Sequence, residues 1–468
     1  MKLERSIRTF YEAVNSCREY MGKRIFFTLF FVLILSGFIG IPEIKDLRDI
    51  SQDHRIFTAR QENEFSRLDT ELQKKADAFH NKMFFSPWHQ ETSRYSFDEV
   101  KWEFDKYGKD TGYGKKGKRH PHTWRENLNA NAHLKDYPNG GFPAITVQNT
   151  DLRVLPTSDA HLSNPRNCIL PFDNMQNSAA AANTPTFISH VAKDKKWVLA
   201  ETHYARGWIP AGHIARVDAD FIRQWENGNY ATIIKDKTPI YDDVGKLLFK
   251  APVGSFFPKT GEDGNAVQIL IATADSRGKA TIKKTSLSRE TAAAKPLKLT
   301  AANMALLANE LMNEPYGWGG LDQKRDCSSI LMDLFAPFGI WLPRNSGHQA
   351  KKTGAFINLR NLPPEEKEKT ILKQGIPYFT LLWLKGHIML YIGNQDGHAL
   401  VFHNFWSIKT RDSKGRTGRK IIGRAAITTL RPGQELRHGK GAGDFLPGIL
   451  GMTLLWPPPV EPAHFSPG

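Results

Sequence analysis

Three side chains in this 468-residue chain have the types and spacing for an acyl transfer: Cys327, His387 and His403. Cys327 stands in "RDCSSILMDLF", ahead of a helical period of apolar residues at Ile330, Leu331, Leu334, Phe335 and Phe338. That period predicts a helix with the cysteine in its first turn, where unpaired N–H groups and the helix dipole favour the thiolate. The same position equally suits a small buried hydrophobe. A thiolate nucleophile needs a base, and the base needs a group to orient it. His387 opens the strand-like run "HIMLYIG", and His403 comes late in "HALVFHNF", the two runs being joined through "NQDG". An odd loop, such as 394–396 followed by Gly397, sets the two histidines opposite each other on one face; an even loop puts the sheet between them. No nearby carboxylate or second cysteine completes a usual ligand set, so a metal site is the weaker reading.

The chain that must position these groups is too long for one core and predicts several domains. Apolar residues make up 40% and charged residues 24%, enough burial for a globular fold without disulfides. The 64 Lys and Arg against 48 Asp and Glu, +16 in all, favour an anionic partner. Nucleic acid is set aside, because neither a zinc-finger spacing nor an RNA-binding aromatic signature is present. Arg5, Arg8, Arg18, Lys23 and Arg24 precede the uncharged apolar stretch "IFFTLFFVLILSGFIGI", residues 25–41. That pattern predicts a signal peptide or a membrane anchor. The cleavage pattern is poor, so an uncleaved anchor with a cytoplasmic N-terminus is preferred to a cleaved one. Either way the rest of the chain is extracytoplasmic, in the periplasm or at the cell surface. Outside the cytoplasm Cys168 and Cys327 either form one bridge or leave Cys327 free.

Residues 43–83 are highly charged and predict a helical spacer, with "DTELQKKADAFHNKM" inside it. An aromatic, loop-broken stretch follows, and then the basic "GYGKKGKRHPHTWR", read as a solvated loop. From about 144, short strand-like runs separated by turn residues predict two small barrels in tandem. The first holds "FPAITVQ", "LRVLPTS", "TFISHVA", "KWVLAETHY" and "RGWIPAGHIARV"; the second holds "YATIIKD", "TPIYD", "GSFFPKTG", "AVQILIATA" and "GKATIKK". From about 298 helices and strands mix, with Thr300 placed to cap "AANMALLANELMN".

The segments "YGWGG" at 316–320, "DCSS" at 326–329, "LPRNSGHQ" at 342–349, "GHIMLYIG" at 386–393 and "VFHNF" at 401–405 resemble the NlpC-type cell-wall cysteine peptidase family. The resemblance spans roughly 298–455 and implies a papain-like α+β fold. The upstream part resembles the tandem bacterial SH3-like domains and the N-terminal clip segment, around "FFSPWH", that accompany this peptidase. The expected multidomain order is a signal or anchor helix at 1–42, a clip segment at 43–143, SH3-like barrels at 144–224 and 225–295, and a peptidase domain with a Pro-rich tail at 296–468. The resemblance implies Cys327 as nucleophile, His387 as general base and acid, and His403 as its orienting group. It also implies substrate contacts at Tyr316, Asp326, Ser328, Arg344, Asn345 and Ser346. Peptidoglycan stem peptides, cut between γ-D-glutamate and the diamino acid, are the implied substrate, and a monomer is expected. The resemblance also implies that neither a metal nor a cofactor is needed. A catalytically inactive wall-binding protein and a related amidase or acyltransferase remain alternatives. Two positions depart from the family pattern: Ser329 replaces a glycine, and Asn345 stands where relatives selective for a free L-alanine terminus carry aspartate. Glu201 in the first barrel is a candidate to supply the missing carboxylate.

Overall fold

A computed structural model of the chain describes residues 43–66, 69–107, 112–164, 172–436 and 443–458. The apolar stretch 25–41, Cys17, Cys168 and most of the Pro-rich tail lie outside the described residues. Among the described residues no helix is long and apolar enough to cross a membrane.

All ten barrel runs fold as strands. The first barrel is a seven-stranded antiparallel sheet in the order Gln176–Ala180, Thr150–Arg153, Arg206–Pro210, Trp197–Glu201, Pro185–Val191, Phe142–Thr146, Ile214–Arg216. The second has five strands, ordered Ala280–Ser288, Ala266–Ala274, Phe256–Glu262, Tyr230–Ile233, Ala292–Lys295, beside the separate hairpin Thr238–Tyr241/Leu247–Ala251. The strands Gln176–Ala180 and Ala292–Lys295 escape sequence reading because Ala, Gln and Ser have little β-preference; their pairing partners impose the conformation.

Residues 43–83 are not a spacer. Their helices, among them His54–Thr58 and Thr70–Phe85, send Phe57 and Phe65 into the core of the C-terminal domain. The Gln73 amide donates to the carbonyl oxygens of Leu297 (2.8 Å) and Phe338 (3.0 Å). High charge misled the reading, because it sits on the outward faces while the sparse apolar residues dock. The basic stretch is likewise tied down: Tyr113 bridges to Leu162, and His122 opens the helix His122–Ala132.

The C-terminal domain is built on a six-stranded antiparallel sheet in the order Ala355–Asn358, Ile449–Leu454, Thr380–Leu384, His387–Gln395, His398–Arg411, Thr417–Thr429. Leu331, Leu334 and Phe335 of the helix Ser329–Phe335 pack on the face made by Ile388, Leu390 and Phe402. Met389, Tyr391, Val401 and Met452 form a second core on the other face with Ile371 of the helix Pro364–Gln374. Thr300 caps its helix as expected, accepting from the Asn303 N–H. A cavity of about 390 Å³ lies where clip, barrels and C-terminal domain meet, lined by His80, Ser178, Gly254, Arg325 and Arg344 among others.

Candidate active site

The two histidines reach one face by a route the sequence did not disclose. Gln395 pairs with His398 across the two-residue turn Asp396–Gly397, both of positive φ, so the loop is even and shorter than 394–396. On its own this turn would put His387 and His403 on opposite faces. The register slips between Tyr391 and Gly393, leaving Ile392 as one extra residue, after which Tyr391 pairs with Val401 and Leu390 with Phe402. A bulge of one residue reverses the side-chain alternation, and the histidines return to a common face as diagonal neighbours.

There His387 Nε2 lies 2.9 Å from His403 Nδ1, and His403 Nε2 lies 3.0 Å from the Thr428 hydroxyl. The Thr428 hydroxyl donates to the carbonyl of Thr429 at 2.8 Å, so its oxygen faces His403 as an acceptor. The protons are then fixed in order. His403 carries its proton on Nε2, its Nδ1 accepts from His387 Nε2–H, and His387 Nδ1 is left bare as a base. Thr428, which no sequence signal marked, decides the direction of the relay. Phe405 stacks on the His403 ring at 4.1 Å, and Phe445 stacks on His387 at 5.6 Å. Burial pushes His387 down to about 4 and His403 well below the ordinary histidine range.

Cys327 is free and buried, and it lies two residues ahead of the helix Ser329–Phe335, with Ser328 as N-cap. This corrects the placement in the first turn. Burial and the adjacent Asp326 carboxylate push the thiol up to about 12, while a hydrogen bond from the Ile388 N–H works the other way. Ile388 follows His387 directly, so that bond joins the nucleophile to the start of the base strand. Burial thus works against both charged forms, the thiolate and the imidazolium.

Asp326 holds the nucleophile loop in shape. Its carboxylate accepts from the N–H groups of Ser328 (3.1 Å), Ser329 (2.9 Å) and Gly319 (3.1 Å) and takes two parallel bonds from Arg344, at 3.0 and 2.6 Å. Burial opposes its charge, but the Arg344 guanidinium and these donors outweigh burial and hold its pKa low. Ser329 returns a bond: its Oγ accepts the Asp326 N–H at 2.9 Å, an anchor that a glycine would lack.

Comparison with known proteins matches four segments of the chain. Residues 313–411 match the NlpC/P60 family, 14–137 the NLPC_P60 N-terminal stabilising domain, 164–210 the SH3 domain of SH3b1 type and 218–263 the SH3 domain of SH3b2 type. A solved NlpC/P60 endopeptidase from Photobacterium damselae subsp. piscicida is 26% identical with a TM-score of 0.76, covering 90% of this chain and 99% of its own. The chain carries an NlpC/P60 domain behind an N-terminal stabilising domain and two SH3 domains. An NlpC/P60 family protein from Bacillus cereus is 15% identical, covering 66% of this chain and 98% of its own, with a TM-score of 0.44. No curated protein matches.

In this NlpC/P60 domain the remaining expected residues divide. Tyr316 is buried beside the thiol; burial and the Cys327 and Asp326 charges push its phenol far up, so it stays a donor. Its loop rests on the first barrel, where Gln176 Nε2 donates to the Gly319 carbonyl at 3.1 Å. A Cβ at Gly320, φ +82°, would lie 2.7 Å from the Ala179 Cβ, which accounts for the glycine. Ser328 Oγ joins the Arg344 and Asp326 network at 2.8 and 3.2 Å. Phe172 of the first barrel, Trp318 and Trp406 stand around Tyr316 as an aromatic wall.

Asn345 is set apart. Its side-chain oxygen caps the helix Ser346–Lys352, accepting from Gly347 N–H at 2.8 Å and His348 N–H at 3.4 Å. Ser346 opens that helix, half-buried. Glu201 does not reach the cleft: it is fully buried and bound by Gln90 (2.9 Å), Ser93 (2.6 Å) and the Arg94 N–H (3.1 Å) of the clip segment. A lone carboxylate in a strand run gave no hint of that docking.

Proposed function

We propose that the chain is an extracytoplasmic cysteine endopeptidase that cuts peptidoglycan stem peptides between γ-D-glutamate and the diamino acid. The observation that carries this reading is the ordered chain from His387 through His403 to Thr428, which leaves one imidazole nitrogen bare, together with a buried free thiol that takes a hydrogen bond from the N–H of Ile388, the residue after His387. As the Cys327 sulfur attacks the γ-carbonyl carbon, its proton passes to His387 Nδ1, and the imidazolium that forms donates through Nε2–H to His403. The Cys327 N–H and the Tyr316 hydroxyl are the donors placed for the developing oxyanion. Collapse expels the diamino acid amine, which takes the proton from His387. Water, deprotonated by the same nitrogen, then releases γ-D-glutamate from the thioester and regenerates the thiol. Burial disfavours both charged forms, so charge separation is coupled to attack on the substrate.

The aromatic wall supplied partly by the first barrel narrows the approach and favours short or end-trimmed peptides over intact wall. Residues 25–41, if retained, would hold the enzyme at a membrane. An inactive wall-binding role fits poorly with a relay whose every proton is assigned. An acyl transfer to an amine uses the same thioester, and the products separate the two readings.

Mass spectrometry of wall fragments incubated with the protein tests the proposal. Release of peptides beginning with the free diamino acid is expected, and Cys327→Ala and His387→Ala should show none. Equal release by Cys327→Ala would end the thioester reading; amide-linked products with a new amine would convert it to acyl transfer.

A further inference from the structure

The two longest strands of the catalytic sheet, His398–Arg411 and Thr417–Thr429, run past their neighbours as a two-stranded ribbon. The adjacent strand begins at His387, so beyond Phe405 nothing pairs with the ribbon on that side. Between positions 409 and 420 the ribbon carries Lys409, Arg411, Lys414, Arg416, Arg419 and Lys420 against one carboxylate, Asp412. Asp412 binds Arg416 at 2.7 Å. Among the described residues no carboxylate pairs with Lys409, Arg411, Lys414 or Arg419. Six cations beside one carboxylate repel one another, and an outside anion relieves that repulsion.

The base of this finger coincides with the point where the N-terminal segment joins the fold. Ile44 packs in one apolar cluster with Phe405, Ile408 and Ala426, the Glu43 carboxylate pairs with Arg424, and the helix Lys45–Asp49 lies along the strand Thr417–Thr429. Three peptide units separate Ile44 from Ile41, the last residue of the apolar stretch, and span at most about 11 Å. The described chain therefore starts, two residues after the apolar stretch in sequence, beside the root of the cationic ribbon.

We infer that the 409–420 ribbon is a headgroup-binding finger that lies on the anionic phospholipid surface of the bilayer receiving residues 25–41. The inference rests on the extracytoplasmic, anchored reading above and is independent of the chemistry at Cys327. The ribbon leaves the sheet at the His387 end, so seating it on the bilayer holds the catalytic cleft close to the membrane. Lys and Arg within a Debye length of such a surface each strengthen attachment roughly fivefold.

The test uses the full chain in vesicles of phosphatidylcholine, with and without one third phosphatidylglycerol, and reads amide hydrogen exchange of residues 409–420. The amides of the turn at 412–416 should exchange roughly tenfold more slowly on anionic vesicles, and the protection should vanish in about 1 M salt, where the Debye length is about 3 Å. The variant Lys409→Gln/Lys414→Gln/Arg416→Gln/Arg419→Gln should lose the protection while remaining on the vesicles. Equal exchange on both vesicle types would overturn the finger alone. Slowing by an anionic wall polymer but not by vesicles would overturn the lipid assignment and identify the wall as partner. A chain that leaves uncharged vesicles altogether would remove the anchor and this inference with it. Because exchange is read without turnover, Cys327→Ala should behave as wild type, which separates failure here from failure of the peptidase reading.

Discussion

The two halves of the candidate site are held in different ways. The base half is internal: His387 and His403 sit on neighbouring strands, their protons are ordered by Thr428 of the next strand, and Phe405 and Phe445 pack their rings. The nucleophile half is pinned from outside. Arg325 is bound through its guanidinium to Asp236 of the second barrel at 2.6 and 3.1 Å, and its carbonyl accepts from Asn404 at 2.9 Å. Asp326 is bound by Arg344, whose Nε donates to Ser178 of the first barrel at 2.9 Å. Each residue ahead of Cys327 is thus tied to a different barrel. The barrels are therefore part of the machinery that places the thiol, and they have no hold on the tautomer of the base.

The largest expected effect breaks the internal half without touching the barrels. His403→Ala should lower kcat about a hundredfold to a thousandfold, and Thr428→Val about tenfold to a hundredfold, with KM nearly unchanged, because an orienting group acts on the proton transfer and not on binding. Thr428→Ser should restore the rate, since it keeps the hydroxyl. Imidazole nitrogen shifts add a readout that packing alone would not move: His387 should carry its proton on Nε2 in wild type and become a mixture of tautomers in Thr428→Val. A single unchanged tautomer with full activity would remove Thr428 from the relay.

The pH dependence sharpens the same half. His387 is lowered to about 4 by burial, so the base is present above that pH, and kcat/KM should fall about one decade per unit below it while staying flat through neutrality. Cys327, raised to about 12 by burial and Asp326, should alkylate ever faster as pH rises past 9. The unfolded imidazoles take protons from about 6.5 downward while the folded ones resist, so their neutral burial costs stability as pH falls from about 6.5 towards 4. An alkylation plateau near pH 7 would instead signal a preformed thiolate.

Next in size is the outer tie to the second barrel. Asp236→Ala leaves a buried Arg325 with Asp333 and Glu314 only, and it should cost about 3 kcal/mol, read as a lower Tm. Against burial, the Arg325 guanidinium holds the Asp236 carboxylate down to about 2. Its stabilisation is complete above the unfolded value near 3.9 and is lost as pH falls through about 2. Ser178→Ala, at the first barrel, should be milder: Arg344 keeps both bonds to Asp326, and kcat/KM should fall a few-fold at unchanged Tm. Neither substitution should shift the His387 acid limb, and a shift in either would break the division between the halves.

Much of this was legible in the sequence, and the exceptions share a cause. The barrel strands, the Thr300 cap and the three residue types of the candidate site were marked by local pattern. The parity of the histidine hairpin was not, because it depends on the Ile392 bulge, which no pairing rule applied to "NQDG" foresees. The Asp-Gly dipeptide did signal a two-residue turn and should have ruled out the longer loop. Thr428, Ser178 and Asp236 act across 25 to 166 positions of sequence, where periodicity carries no information. The helix dipole at Cys327 failed for a local reason: the chain completes the Asp326 turn before the helix begins.

The smallest effect is expected at a residue that neither barrel touches, which makes it the control for the comparison. Asn345 caps the helix Ser346–Lys352 with its side-chain oxygen, and its position is exposed. An acceptor already shared between two backbone N–H groups is poorly placed to receive a substrate ammonium. Asn345→Ala should cost about 1 kcal/mol of stability, as loss of such a cap usually does. The ratio of kcat/KM for a stem peptide and its N-acetylated form should not change, and Asn345→Asp, which keeps the cap and suits the helix N-terminus, should leave both quantities near wild type. If Asn345→Ala instead altered that ratio at unchanged Tm, the residue would belong to substrate recognition, and a third fixed point beyond the two barrels would have to be added to the nucleophile half.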